Sequence, residues 1–308
     1  MARESVLVTG ATGFIGAAAA QALLRRGCEV HGVSASGRPG PEGVRMHRCD
    51  LLAETEAAAL LRRLRPARLV HAAWDVTHGA YWSAPANLDW LASGVRLLQE
   101  FLAAGGRRAV GVGTCAEYGW TQASYAEATA PRDPATVYGR CKLALGEAFE
   151  AARIMGASTA WARLFFPYGP GDGASRFLPS LVRTLRAGLP FDTTAGLQRR
   201  DFVHVDDVGE ALAALALCEV GGAVNIGTGE APSLREVALE AAGALGADPA
   251  LLRFGALPAR EGDPAMLVAD VTRLRGEVGY APTIGWRDGV ARFATASPRP
   301  LDKPQGLR

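Results

Sequence analysis

The sequence predicts an α/β fold built on a doubly wound parallel sheet, with a smaller lobe toward the C-terminus. Three observations carry that expectation. Val6, Leu7 and Val8 form an unbroken apolar run, which suits a central parallel strand buried on both faces better than a strand with one wet face. Glycines follow at 10, 13 and 16, and the alanines from Ala17 with Leu23 and Leu24 start a strong helix. The same alternation of short strand and helix then continues downstream.

At 308 residues, with 49% hydrophobic and 21% charged positions, the chain is long enough for one large domain or two unequal ones. A net charge of +2 is close to balance and calls for neither nucleic acid nor an anionic membrane. The dense basic cluster of Arg62, Arg63, Arg65 and Arg68 trails Glu54 and Glu56, the order that a helix dipole favours. Cysteines at 28, 49, 115, 141 and 218 are odd in number and include no CxxC pair, which argues against a disulfide framework or a zinc site. The short lead before the first strand leaves no room for a signal peptide, and no apolar stretch approaches the ~20 residues of a membrane span, so a cytoplasmic protein is expected.

In the first strand–turn–helix unit, the missing side chains of Gly10, Gly13 and Gly16 let backbone approach a pyrophosphate. The charge of that group meets the free N–H groups and positive end of the helix. Thr12, Phe14 and Ile15, at the mouth of the helix, join the glycines as candidate dinucleotide contacts. A plain tight turn is the alternative; the position after a strand and before a helix favours the dinucleotide site. The next strand, Gly27 to Val33, ends in Ser34, Ser36 and Arg38. NAD-selective folds place an acid there for the ribose hydroxyls, whereas two hydroxyls and a guanidinium welcome a 2′-phosphate, so NADP(H) is expected ahead of NAD(H).

A short strand from Val44 to Cys49 leads to Asp50 and Leu51, with Asp50 placed either to reach the adenine edge or to cap a helix beginning near Glu54. The strand from Arg68 closes on Ala72 and Ala73, small enough to leave space for the nicotinamide half of a cofactor. From Trp74 to Trp90 runs an aromatic-rich loop with His78, Tyr81 and Trp82, of which His78 and Trp82 are candidate substrate contacts. A helix from Leu91 to Ala104 and a strand from Ala109 to Gly113 then end on Thr114, at the strand's carboxyl end, where open parallel sheets place ligands. Beyond it Tyr138 and Lys142 stand four apart on a helix running to Ala151 or Ala152, which puts both on one face. A free tyrosine titrates near ~10, and a nearby ammonium stabilises the phenolate and lowers that value.

Thr9, Gly10, Gly13 and Gly16, the Tyr138/Lys142 pair, Arg163 to Gly169, Arg200 to Asp207 and Asn225 to Gly229 together resemble the extended short-chain dehydrogenase/reductases. These are Rossmann-fold proteins, and the likeness is to their nucleotide-sugar epimerase, dehydratase and reductase group. It spans nearly the whole chain. The resemblance implies that Thr114 holds the substrate oxygen, that Tyr138 gives or takes the proton, and that Lys142 lowers the phenol's pKa and contacts the nicotinamide ribose. It further implies a nucleotide-diphosphate sugar as substrate, a homodimer, and diphosphate contact by Arg200. Arg260 is a second candidate, since a guanidinium forks well onto phosphate oxygens.

The chain departs from the family in two places. Dehydratases carry an Asp-Glu pair after the Thr, and Cys115 and Ala116 stand there, which argues against elimination. Cys115 is then either a small buried residue or an additional acid/base beside a ketone. Phe166 and Pro167 occupy the place of an Asn that often contacts the diphosphate, which makes Phe166 a candidate substrate contact.

Arg200 to Asp207 reads as a strand and an Asp cap on a helix from Val208 to Leu217, in preference to a metal cluster. From Ser233, a helix Leu234 to Leu245, a turn and a final helix capped by Asp270 are too short and mixed for another doubly wound unit. Residues 1–170 are therefore expected to form the dinucleotide-binding domain, rejoined by 201–229, and residues 171–308 a substrate-binding lobe. The expected function is NADP(H)-dependent reduction of a nucleotide-linked 4-keto-6-deoxyhexose to the alcohol. NAD-dependent epimerisation is the first alternative, ahead of a dehydratase or a non-catalytic NADP-sensing regulator.

Overall fold

Val6, Leu7 and Val8 are all buried, and they divide between two cores: Val6 and Val8 face one side of a sheet and Leu7 the other, the period-2 alternation of a strand. The computed structural model describes residues 3–77, 79–259 and 261–296. In chain order its elements begin with β1 (Ser5–Thr9), α1 (Phe14–Arg25), β2 (Glu29–Ser34), β3 (Arg45–Arg48), α2 (Glu56–Leu64), β4 (Arg68–His71), α3 (Ala86–Ala103) and β5 (Arg108–Thr114). The middle of the chain forms β6 (Ser124–Tyr125), α4 (Val137–Ile154), β7 (Ser158–Leu164), β8 (Phe166–Tyr168), α5 (Phe177–Arg186), β9 (Phe191–Thr193), β10 (Arg199–Arg200) and β11 (Phe202–His204). The rest is α6 (Val205–Leu217), β12 (Gly222–Ile226), α7 (Leu234–Leu245), β13 (Leu252–Phe254), β14 (Met266–Ala269), α8 (Thr272–Gly276) and α9 (Trp286–Thr295).

Seven strands make one parallel sheet in the order β12-β7-β5-β4-β1-β2-β3. The order reverses between β1 and β4, so the sheet is doubly wound and the carboxyl ends of those two strands flank the crevice where such sheets bind ligands. Ala19 and Ala20 of α1 with Ala211 and Leu212 of α6 fill one face around Val6 and Val8. On the other face Leu60, Leu97, Phe101, Leu145 and Phe149 of α2, α3 and α4 pack around Leu7 and Leu69. A third core joins β8, α5, β11, α7 and α9 through Tyr168, Leu181, Phe202, Val237, Trp286 and Val290. Beside it lie a three-stranded sheet, β10-β14-β6, and the pairs β11-β8 and β13-β9. Among the described residues no helix is long and apolar enough to cross a membrane.

Three boundaries differ from the sequence reading. Helix α3 begins at Ala86 and not Leu91, with Pro85 at its N-cap, so Trp90 is helical and the aromatic loop is shorter than expected. Helix α6 begins at Val205, capped by His204 Nδ1, which accepts the Asp206 N–H at 3.2 Å. Asp207 is no cap: its buried carboxylate accepts from the hydroxyls of Tyr280 and Thr283 and the N–H groups of Thr283 and Ile284. The final helix is α9, starting at Trp286, whereas Asp270 accepts the Thr272 N–H at the head of the short α8.

Candidate active site

Two of the glycines are required by close backbone approach. Gly10 adopts φ +67°, and a Cβ there would meet the Ala73 backbone at 3.0 Å. At Gly16 a Cβ would lie 2.2 Å from the Gly10 carbonyl oxygen. The convergence is held by the Gly13 N–H donating to Gly10 O at 2.8 Å and the Ala73 N–H donating to Thr9 Oγ1 at 3.1 Å. Gly13 is the N-cap of α1 and brings no side-chain acceptor, and the first turn carries no acid. The free N–H groups and positive end of α1 are thus left to an anion from outside, and the cradle fits a dinucleotide's pyrophosphate. Phe14 and Ile15 are half-buried there, Ile15 against the core, with Phe14 Cδ2 3.6 Å from where a Cβ on Gly171 would stand.

At the end of β2 the hydroxyls form a chain. Thr12 donates to Ser34 Oγ at 3.4 Å, Ser34 and Ser36 share a hydrogen bond of 2.9 Å, and Arg38 Nε donates to Ser36 Oγ at 3.2 Å. Arg48, which the sequence reading passed over, pairs in register with Ser34 across β2 and β3. Asp50 does not cap α2, whose N-cap is Thr55; its Oδ1 accepts the Leu52 N–H at 3.0 Å within the preceding turn, and its own N–H donates to Glu56 Oε2 at 2.8 Å. Leu51 is buried, and its carbonyl accepts the Ser93 hydroxyl at 2.6 Å.

Thr136 caps α4 by accepting the Gly139 N–H at 3.0 Å, and the helix then turns Tyr138 and Lys142 inward together, 8% and 3% exposed. Lys142 Nζ donates to Val112 O at 2.8 Å and lies 3.9 Å from the centre of the Trp74 ring. Burial pulls its pKa down to about 7, with the Glu117 carboxylate working against that shift. Tyr138 is enclosed edge-on by Tyr81, Trp82 and Trp74, at ring-centre distances of 4.9, 5.7 and 6.3 Å. Its N–H donates to Trp82 O at 3.1 Å.

Burial, and then Tyr81, raise the phenol above its ordinary pKa, while the Thr114 hydroxyl, a hydrogen-bonding neighbour, works in the opposite direction. The lowering expected from the ammonium is therefore reversed. Desolvation dominates, and Lys142, itself dry, is turned to Val112 and Trp74. The phenol keeps its proton at neutral pH.

Thr114 ends β5 and caps a 3₁₀ turn, Cys115–Glu117, in a reciprocal arrangement. Its Oγ1 accepts the Ala116 N–H at 3.2 Å and the Glu117 carboxylate accepts the Thr114 N–H at 2.8 Å. Glu117 is fully buried and takes two further donors, Arg163 Nε at 2.7 Å and Trp161 Nε1 at 2.9 Å. The Thr-x-x-Glu spacing was the sequence signal for it. Cys115 is buried, and burial pushes its thiol up to about 12, away from the thiolate a base requires, which fits the small buried residue of the two readings.

On the side of the third core, Arg200 is buried and already engaged. It donates to Asp263 Oδ1 at 2.5 Å, Pro264 O at 2.8 Å and Arg199 O at 2.7 Å, and lies over Phe166 at 5.6 Å. That arrangement makes it an internal tie and corrects the expectation of a free phosphate-binding guanidinium. Arg176, at the N-cap of α5, is the more open cation; it pairs with Asp172 at 3.3 Å and is close enough to Tyr81 to act on its phenol. Asp201, in the stretch read against metal binding, accepts from Thr228, Gly229 and Ala269. Trp82 stacks on Tyr81 at 4.5 Å. His78 and Arg260 lie outside the described residues.

Residues 6–227 match the family model of the NAD dependent epimerase/dehydratase family. The chain is 31% identical over 315 residues to the dTDP-6-deoxy-L-talose 4-dehydrogenase (NAD(P)(+)) of Kitasatospora kifunensis, covering 94% of this chain and 95% of that protein. It is 28% identical over 336 residues to the UDP-glucose 4-epimerase of Azospirillum brasilense, covering 99% of this chain and 95% of that protein. Among solved structures it resembles MoeE5 in complex with UDP-glucuronic acid and NAD, with a TM-score of 0.80 and 32% identity across 94% of this chain and 97% of that one.

Proposed function

Because the chain belongs to the NAD-dependent epimerase/dehydratase family, we propose that it uses NADPH to reduce a nucleotide-linked ketosugar of the 4-keto-6-deoxyhexose type to the alcohol. The observation that carries this reading is the chain of Thr12, Ser34, Ser36 and Arg38 at the end of β2. These groups offer donors to a 2′-phosphate where an acid would repel it. A cofactor that exchanges between turnovers suits net reduction. The similarity to a 6-deoxysugar 4-dehydrogenase named for NAD(P)(+) supports the same reading. The likeness to UDP-glucose 4-epimerases supports the competing one, epimerisation with retained NAD.

In this proposal Gly10, Gly13 and Gly16 cradle the pyrophosphate, Ser34, Ser36 and Arg38 take the 2′-phosphate, and Ala72 and Ala73 leave room for the nicotinamide half. When bound, the dinucleotide supplies hydride. The chain supplies the proton. Thr114 orients the carbonyl oxygen, and the buried, protonated phenol of Tyr138 donates to that oxygen as it gains charge. The Lys142 ammonium stabilises the phenolate left behind, in a site where charge is weakly screened.

Arg176, the more open cation on the side of the third core, binds the diphosphate. Residues 1–170 and 201–229 then serve the cofactor and residues 171–308 the nucleotide sugar, in a homodimer.

Mass spectrometry of what copurifies separates the two readings. NADP(H), or no dinucleotide, supports reduction; stoichiometric NAD retained without added cofactor would establish epimerisation in its place.

A further inference from the structure

The surroundings of Lys142 are unusual for a charge on which proton transfer leans. Among the described residues its hydrogen-bond acceptor is Val112 O, and its other close partner is the indole face of Trp74, 3.9 Å from the ring centre. The titratable groups facing it are few. From β4 comes His71, held neutral because burial takes it down to about 3. From the turn after β5 comes Glu117, whose carboxylate is paired with Arg163 at 2.7 Å. On its own helix stands Tyr138, protonated.

The indole does not lie there loosely. Its Nε1–H donates to Asn87 Oδ1 at 2.9 Å, and Asn87, 2% exposed, donates its amide to Tyr81 O at 2.7 Å and Ala84 O at 2.8 Å. One carboxamide at the head of α3 thereby fixes both the aromatic loop and the ring on the ammonium. Trp90 of α3 lies 6.2 Å from Trp74, ring centre to ring centre.

We propose that Trp74, held by Asn87, is a positioning residue that keeps the Lys142 side chain charged and fixed against the Val112 carbonyl, on the helix it shares with Tyr138. The inference rests on the proposed roles of Tyr138 as acid and Lys142 as its charge partner. A ring face attracts a cation most strongly where water is excluded. The attraction favours the protonated amine, so removing the ring lowers the pH at which Lys142 loses its proton. Activity that needs the ammonium then fails at a lower pH on its alkaline side.

The test combines a spectroscopic and a kinetic arm. The Trp74 contribution to fluorescence, wild type minus Trp74→Phe, should titrate with Lys142, and that titration should vanish in Lys142→Met; its persistence there would overturn the contact. With NADPH and dTDP-4-keto-6-deoxyglucose as probe, Trp74→Leu should lose about tenfold in kcat and shift its alkaline limb down by about one pH unit. The KM for NADPH should stay within about twofold.

Trp74→Phe, which keeps a ring face, should recover much of the rate, and Asn87→Leu should move the limb in the same direction. A Trp74→Leu profile superimposed on wild type, or a Trp74→Phe enzyme as impaired as Trp74→Leu, would overturn the role. If Lys142→Met turns over normally, the reading of Lys142 falls and this inference with it. An inactive Lys142→Met beside an unshifted Trp74→Leu removes the role of Trp74 alone.

Discussion

At residue 16 a single methyl group decides whether the turn survives. A Cβ there would sit 2.2 Å from the Gly10 carbonyl oxygen, a backbone atom that cannot rotate away, whereas at Gly13, with φ −89°, the nearest atom is 3.2 Å off. Gly16→Ala should therefore cost about 1–3 kcal/mol of stability and weaken dinucleotide binding at least about tenfold, by thermal melts and titration calorimetry, with Gly13→Ala milder. His71 should make the protein acid-sensitive. Its Nδ1 lies 2.8 Å from Thr9 Oγ1, its Nε2 has no partner among the described residues, and burial lowers its pKa to about 3. The unfolded chain binds a proton below ~6.5 that the folded one refuses, so stability is full above that value and declines as pH falls toward 3. His71→Asn should flatten the fall of the urea midpoint between pH 6.5 and 4; an unchanged slope would show that another group is responsible. Tyr138 and Lys142 were legible because four residues on a helix define one face. Their shifted pKa values were not, because burial depends on which parts of the chain pack over them, as Tyr81 and Trp82 do over the phenol.

Among the elements, the 3₁₀ turn after β5 links site to scaffold. Glu117 accepts the Thr114 N–H and is held by Arg163, which also donates to the Tyr118 hydroxyl at 3.1 Å; Tyr118 in turn donates to Asn225 of β12 at 2.7 Å. The network runs across the sheet behind Thr114. Arg163→Met would strand a buried carboxylate, for a loss of about 3 kcal/mol or more by chemical denaturation. The double variant with Glu117→Gln should recover part of that loss. The early elements were readable because glycine turns and apolar runs are local signals. Helix α3 started earlier than its apolar pattern suggested, because Asn87 turns a polar side chain inward to satisfy the loop. Asp207 read as a cap on composition alone, and its actual partners at 280–284 are a tertiary fact no spacing reveals.

For the molecule as a whole, seven parallel strands with a reversal between β1 and β4 bring the glycine turn, the small Ala72–Ala73 strand end and the Tyr138/Lys142 face to one edge of the sheet. That convergence was foreseeable from the order of elements. The short strands β9, β10, β13 and β14, at most four residues each, were not, since so few residues show no period. A ligand that binds only the folded chain stabilises it by mass action. NADPH at ~100 times its Kd should add about 2.7 kcal/mol and raise Tm, and equal concentrations of NADH should raise it less. Equal shifts would remove the 2′-phosphate selectivity assigned to Ser34, Ser36 and Arg38.

The most direct measurement is NADPH oxidation with dTDP-4-keto-6-deoxyglucose by wild type and Tyr138→Phe side by side, with NADPH affinity measured for both. The expected result is turnover by wild type and a rate about 10²–10⁴-fold lower in the variant at unchanged affinity. Oxidation at the wild-type rate by Tyr138→Phe would contradict the assignment of the proton to that phenol.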